Sequence, residues 1–474
     1  MSSIISLSTR VVPSGYSEAE STKPKQYAAA DAAADDDATA SMTDLGSSTG
    51  EIGSARTEWY GTTLVLLSEV MGMGVLGLPF AAVTLGWTTS MICMPLFAFF
   101  AAYSGFQLKT VKISNPKISS YGDAGRELIG PRFGTFAKAC MLLNWGSLAI
   151  YYMVATADGI KNIYGQGFLS CNLNRMIVAA LILVIPAQSR DFHTISKYLS
   201  LPSALAIIIT LLIIIVTLVE SLKEDDIVFA ENTTVGIAPG TNVFGFLQSL
   251  SSLIFAFQGQ SIFMELMTEM KNPKEFSKSC NFAYIIMGIV YTVIVVVAYG
   301  VSGDNVEDFL PDEVSPGAAK TTIGVLVVFH IIVAYVIAIQ PFHCWVHSIV
   351  FPKTFNSSSV KGQVHWFFIT VVYIIFAFVI ANLIPFFSDL QGLIGSALGA
   401  PIVFGFPSLY YLLASKKEAG GSWKETFSSI GVLNSSISLI FLCVLTPMFL
   451  ILGTWGGIMS IIDDYADSGR PFQC

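Results

Sequence analysis

Charge is what this sequence has least of. Only 12% of its 474 residues are charged, against 53% hydrophobic, and the mean hydropathy is +0.65. Soluble domains carry roughly a quarter charged residues, so a water-soluble globular fold is excluded. The chain is also far longer than a single membrane anchor requires. Seven cysteines (Cys93, Cys140, Cys171, Cys280, Cys344, Cys443, Cys474) show no CxxC or other metal spacing, so no metal or cofactor is expected and they read as small apolar side chains. No nucleophile–base constellation is visible, which argues against an enzyme. No ring of charge or filter motif is present, which argues against a pore. The formal net charge of −8 says little about partners, because much of the acid sits in one tail and in loops; no nucleic-acid partner is expected.

An apolar h-region is also missing from the N-terminus, so the first membrane segment is expected to insert uncleaved. Residues 1–57 are rich in Ser, Ala, Asp, Glu and Thr, with the run AAADAAADDDATA. Such a stretch cannot bury enough surface to offset its chain entropy and reads as a disordered, acidic cytoplasmic tail.

What is abundant is long apolar runs. A hydrocarbon core of about 30 Å needs about 20 apolar residues per helix. Eleven runs qualify, at 59–82, 86–109, 134–158, 175–188, 198–220, 243–269, 282–303, 321–350, 364–383, 388–414 and 433–458. The fourth is the shortest and meets Pro186. They define an all-α integral membrane domain over 58–460 and a short outside tail over 461–474. With the N-terminus cytoplasmic, the inside segments hold 20 of the 25 Lys and Arg residues and the outside segments hold Lys161, Arg175, Lys223, Lys320 and Arg470. That bias is the one inner loops carry. An error of one span would invert the later loops and spoil it. Of three N-x-S/T sequons, Asn232 lies in an outside loop and is the glycan acceptor expected; Asn356 and Asn434 fall inside or at a membrane edge.

Two runs break the rules of an anchoring helix. The first reads TLVLLSEVMGMGVLGLPF from Thr63 to Phe80, with Glu69 and three glycines ahead of Pro79. Helix-interior glycine costs about 1 kcal/mol and proline about 3, and an ionisable group at membrane depth costs roughly 2.5–3.5. Broken backbone persists in a membrane only where protein or a watery cavity satisfies it. The sixth run carries Gln258-Gly259-Gln260 in mid-membrane, with Glu265 and Glu269 beyond it. The two stand five spans apart, so they occupy matching positions in two halves, the sequence pointer to a transporter site. Half-helix N-termini offer N–H groups to a carboxylate, and facing carbonyls can hold an ammonium group or cation. A zwitterionic amino acid suits such a pair. Close helix packing at small-xxx-small spacing is the other reading of Gly72 and Gly77; it leaves Glu69 and the Gln-Gly-Gln run unexplained.

Three stretches carry a family resemblance. Gly72-Met73-Gly74-Val75-Leu76-Gly77-Leu78-Pro79, followed by Gly86-Trp87, resembles the Gly-x-Gly-x-Leu-x-Leu-Pro motif of the amino acid/auxin permeases. Phe255-Ala256-Phe257, Gly259 and the exit Glu269-Met270-Lys271-Asn272-Pro273 resemble that family's sixth span. Ile384-Pro385-Phe386-Phe387 running into Gly392, Gly395, Gly399 and Pro401 resembles its tenth. The resemblance covers roughly residues 57–460. It implies a LeuT/APC-like five-plus-five inverted repeat (repeat one about 58–220, repeat two about 243–414), discontinuous helices 1 and 6, and an extra helix at about 433–458. It also implies proton- or sodium-coupled amino acid transport by a single chain. Substrate would meet Met71, Gly72, Met73, Gly74, Val75 and Gly77 of the first span and Phe257, Gln258, Gly259 and Gln260 of the sixth. Many relatives have histidine where this chain has Gln260, which cannot titrate, so no proton relay is assigned there. A disulfide between the outside loops after spans three and five, present in several animal relatives, is not carried over, because residues 221–242 contain no cysteine.

Glu69, beside the first break, is the leading proton-coupling candidate, and Glu265 the second. For Glu269 a cap or an ion pair with Lys271 or Lys274 is the expected role, and Asp158 reads as an interfacial group. A sodium site would draw hydroxyls from the eighth span, yet residues 325–345 contain no Ser or Thr, only His330, Tyr335, Gln340 and His343 among polar groups. That favours protons. Asn144 is a candidate substrate ligand, with Tyr151 and Tyr152 as either site or packing residues, and Phe257 as a gate. Sodium coupling and an amino acid sensor signalling through the N-terminal tail are the competing readings. Both the plasma membrane and a vacuolar or lysosomal membrane fit.

Overall fold

A computed structural model describes residues 57–468, apart from 191, 225–227, 356 and 358, together with residue 472. The expectations for the N-terminal tail, the extreme C-terminus and Asn356 lie outside the described residues. Fifteen helices follow in order: α1 (Trp59–Val70), α2 (Leu78–Ser114), α3 (Tyr121–Leu128), α4 (Pro131–Tyr164), α5 (Asn172–Ala187), α6 (Phe192–Glu224), α7 (Val243–Ala256) and α8 (Phe263–Glu269). The rest are α9 (Phe276–Ser302), α10 (Ala318–Val350), α11 (Val360–Leu383), α12 (Phe387–Ile394), α13 (Phe406–Glu418), α14 (Trp423–Ile440) and α15 (Thr454–Ser468). Among the described residues there is no strand, only an isolated bridge between Thr57 and Met270.

Eight helical stretches are long and apolar enough to cross a bilayer, and α5 is a shorter apolar helix. Their outward faces carry large apolar side chains such as Leu181, Ile185, Val216, Ile289, Phe367 and Ile375, each more than half exposed. Water would penalise that perimeter and lipid would not, so the chain is an integral membrane protein.

The connection expected near residues 83–85 is a kink inside α2 rather than a loop. Gly86 has φ 68° and ψ 177°, a backbone that only glycine adopts without penalty. The outer segment 233–238 covers the kink, and a Cβ on Gly86 would collide with the Gly236 carbonyl. Amides freed at the bend are recovered there: Trp87 N donates to Thr234 O at 3.0 Å and Thr88 N to Val235 O at 2.8 Å, while Thr84 O accepts from Ala238 N at 3.0 Å. The new helix start thus has partners for its orphan donors.

Contacts sort the connections into two sets. Thr57 pairs with the 269–271 segment, Lys417 with Glu127, and Arg190 with the Phe355 and Ser357 carbonyls. At the other set, Lys161 meets Asp312 at 2.7 Å and Asp304 N donates to Asn232 O at 3.0 Å. Each pairing joins segments that the charge bias assigns to one side.

One cysteine departs from expectation. Cys171 is disulfide-bonded, whereas Cys93, Cys140, Cys280, Cys344 and Cys443 are free. The partner lies outside the described residues. Residues 221–242 do lack cysteine, but that excluded only one partner loop.

Candidate substrate site at two broken helices

The first break starts where α1 stops. Met71 N still reaches Leu67 O at 3.0 Å, but Gly72 N turns back to Val70 O at 2.8 Å, and Gly72 takes φ −114° and ψ −136°. A tight 3-10 turn over Met73–Gly77 then leads into α2, with Pro79 near its start, where the missing N–H costs nothing. The second break is built alike. Helix α7 ends at Ala256, Gln258 N bonds Phe255 O at 3.1 Å, and a 3-10 turn over Gln260–Ile262 starts α8.

The two breaks touch. A Cβ on Gly74 would stand 2.8 Å from Ala256 Cα, and one on Gly259 would stand 2.6 Å from a Val70 methyl. Each glycine therefore sits against the residue that ends the opposite half-helix. Any larger side chain would drive the breaks apart.

Unwinding frees carbonyls that a membrane interior cannot hydrate, and named side chains receive them. Tyr291 of α9 points its hydroxyl between Val70 O (3.3 Å) and Ala256 O (3.4 Å), the last carbonyls of both half-helices. Tyr284, two turns earlier, donates to Phe257 O at 3.0 Å. Gln391 of α12 donates to Gly74 O at 2.9 Å and Ser252 O at 3.2 Å, and its Oε1 accepts from Tyr151 at 3.2 Å. All four side chains are fully or almost fully buried.

The residues expected from sequence fall into groups. Met71, Gly72, Gly74, Val75 and Gly77 line the first break and are buried; Met73 belongs to the same turn. Gly77 faces Gln391. Asn144 of α4 accepts a 2.9 Å bond from Gln258 Nε2, which brings two expected ligands together, and Gln258 Oε1 is buried without a partner. Gln260 turns to α2 instead, donating to Ser104 Oγ at 2.9 Å while its Oε1 accepts from Gly259 N at 3.0 Å. It holds the break in shape. Phe257 is 1% exposed, its ring 4.9 Å from that of Tyr291.

The acids separate. Glu69 lies in the last turn of α1, within electrostatic reach of Tyr152 on α4. Glu265 lies on α8 beyond the second break, among Lys112, Asp123 and Glu269, with Oε2 unpartnered. Lys112 is itself bonded to Thr268 Oγ1 at 3.0 Å and to carbonyls of the following turn. Lys271 pairs with Glu58 at 2.8 Å. Asp158 stands among Asp308, Asp312, Lys161 and Arg175 at the outer set of connections. Asn232 is exposed at the same set.

Sequence reading missed Tyr284, Tyr291 and Gln391, and named His330 only as a polar group of the eighth span. The tyrosines had a signal in their i, i+7 spacing, which puts both on one helix face. Gln391 had one as a lone amide in an apolar, glycine-rich run. Above the site, the connection between α9 and α10 folds inward: Phe309 is 1% exposed and packs 5.0 Å from Phe387, which stacks on Tyr151 at 4.7 Å. Burial there, with Asp312 adding repulsion, pushes the Asp308 carboxyl up to about 6.

Comparison with known proteins agrees with this geometry. A family model described as transmembrane amino acid transporter protein matches residues 55–452. The chain is 25% identical to an N amino acid transport system protein of Neurospora crassa over 434 residues, covering 88% of each. It is 24% identical to lysine histidine transporter-like 1 of Arabidopsis thaliana, covering 86% of this chain and 89% of that one. It is 22% identical to the Arabidopsis amino acid transporter AVT3A, covering 84% and 88%. Two contacting helix breaks and a family match across most of the chain lead to one conclusion: this chain belongs to the transmembrane amino acid transporter family of the amino acid/auxin permease type.

Proposed function

We propose that this chain is a secondary active transporter that moves amino acids by alternating access, driven by protons. In this reading eleven spans form a five-plus-five inverted repeat plus one helix, with a cytoplasmic N-terminus. The helix containing the α1 break opens each repeat's counterpart to the α7–α8 break. The observation that carries the proposal is Tyr291, whose hydroxyl meets the last carbonyl of both half-helices. In this reading the backbone N–H groups and carbonyls of two interrupted helices held at one point would complement an α-carboxylate and an α-ammonium. Backbone recognises what all amino acids share. Gln258 Oε1 and Asn144, at the edge of the breaks, are placed to read the rest. Glu69 is the acidic group beside the first break, and Glu265 faces the opposite exit.

Purified full-length protein in liposomes, offered a panel of labelled amino acids under imposed pH or sodium gradients, tests this directly. Uphill uptake of at least one amino acid with a pH gradient alone is expected. Uptake that follows sodium and ignores pH would replace the coupling ion, and binding with no transport under any gradient would favour a sensor.

A further inference from the structure

Four histidines lie in described side chains, and one of them stands at the first break. His330 of α10 is 1% exposed. Its Nδ1 lies 3.1 Å from Ser203 O and 2.9 Å from Ser203 Oγ on α6. A carbonyl only accepts, so Nδ1 carries the ring hydrogen and Nε2 holds the lone pair. That Nε2 is buried with no hydrogen-bond partner. It points at Gly72, where an added Cβ would stand 3.2 Å from it. The other polar groups of residues 325–345 are differently engaged: Gln340 donates to Arg190 O, and His343 packs against Trp366 and Tyr373. Tyr335 is buried within α10.

Building on the proton-coupled reading above, we propose that Nε2 of His330 is the atom that takes up the coupling proton at the first break. A proton from water on the loading side adds to the lone pair, and the imidazole becomes imidazolium with no other bond formed or broken. The new Nε2–H is a donor facing the unwound backbone at Gly72, so it braces the break in one form. Loss of the proton to water on the other side removes that brace. The elements packed about the ring present Ser203 from α6 and Gly72 from the α1 break. The titratable side chains nearby in chain and fold are Glu69 of α1 and Tyr152 of α4, which act on each other. Glycine at 72 also gains a reason, since any side chain there would fill the approach to Nε2.

Steady-state accumulation decides the matter, because it reports coupling and not rate. In liposomes clamped at zero potential, one proton per substrate gives about tenfold accumulation for a gradient of one pH unit. Wild type, H330Q and E69Q are compared, with gradient-free exchange of labelled amino acid as the measure of a working site. Wild type without uptake would overturn the transport reading itself. With wild type at about tenfold, H330Q is expected to exchange substrate yet accumulate to a ratio near one. H330Q at the wild-type ratio, with E69Q uncoupled, would overturn the assignment in favour of Glu69. Folded H330Q that no longer binds substrate would make His330 a substrate ligand and also overturn it. If replacing the ring prevents folding, G72A decides, since it leaves the imidazole intact and crowds Nε2: a lowered accumulation ratio supports the proposal and an unchanged one overturns it.

Discussion

Gln391 does more for the site than any residue the sequence singled out. One amide ties Gly74 of the first break, Ser252 beside the second and Tyr151 of α4. Leucine at this position would fill the volume and remove the donor that two buried carbonyls share. Each such loss costs about 1–3 kcal/mol. Gln391→Leu is therefore expected to lower thermal stability by several degrees and substrate affinity at least tenfold. A substrate-induced thermal shift in detergent measures both; wild-type affinity would show that the breaks keep their shape without this amide. The sequence made the breaks legible and their support illegible, for a physical reason. Gly72, Gly74 and Gly259 advertise themselves because glycine is costly in a helix and needs a cause. A buried Tyr or Gln is unremarkable until the carbonyl it serves has been located, and those carbonyls belong to other helices. Spacing within one helix cannot report them.

Among elements, the connection 303–313 is the one expected to respond to pH. It packs Phe309 into the site roof and half-buries Asp308. The Asp308 carboxyl rises from its ordinary 3.8 to about 6 in the folded state. The closed connection therefore holds a proton that the open one releases. By linkage, closure is favoured fully at pH below the ordinary value and loses that advantage as pH rises through about 6. Hydrogen exchange of amides 303–313 is thus expected to slow when the pH falls from about 7.5 to about 5, after correction for intrinsic rates. Asp308→Asn, which resembles the protonated acid, should be slow at both. A variant that keeps the pH response would assign it to Glu313, whose carboxyl burial also raises. The same scale explains where sequence reading strained. Apolar runs located nearly every helix, and the short fourth run, reaching Pro186, is α5. They could not tell a loop from the Gly86 kink, because the partner that makes the kink tolerable is the 233–238 segment more than 140 residues away.

For the molecule as a whole, the question is which way it faces. The contacts provide a relation without a direction: the 57 and 269–271 segments, Glu127 with Lys417, and Arg190 with Phe355 belong together, and Lys161, Asp312 and Asn232 belong with the opposite set. In the proposed orientation the direction comes from charge, because the first set coincides with the segments holding 20 of the 25 basic residues. Basic residues in short loops resist transfer across the membrane during insertion. Both sets must therefore reverse together or not at all. Asn232 reports one of them, being exposed and in an N-x-T sequon. Expressed in a glycosylating microsome system, the chain should acquire a glycan that Asn232→Gln removes, while a cysteine placed at Lys117 is labelled by an impermeant thiol reagent in the sealed microsomes, whose cytoplasmic face points outward. A Lys117 position shielded until the microsomes are opened, together with an unmodified Asn232, would turn the whole molecule over. It would also place Glu265 at the entry and the Asp308 roof at the exit of the path.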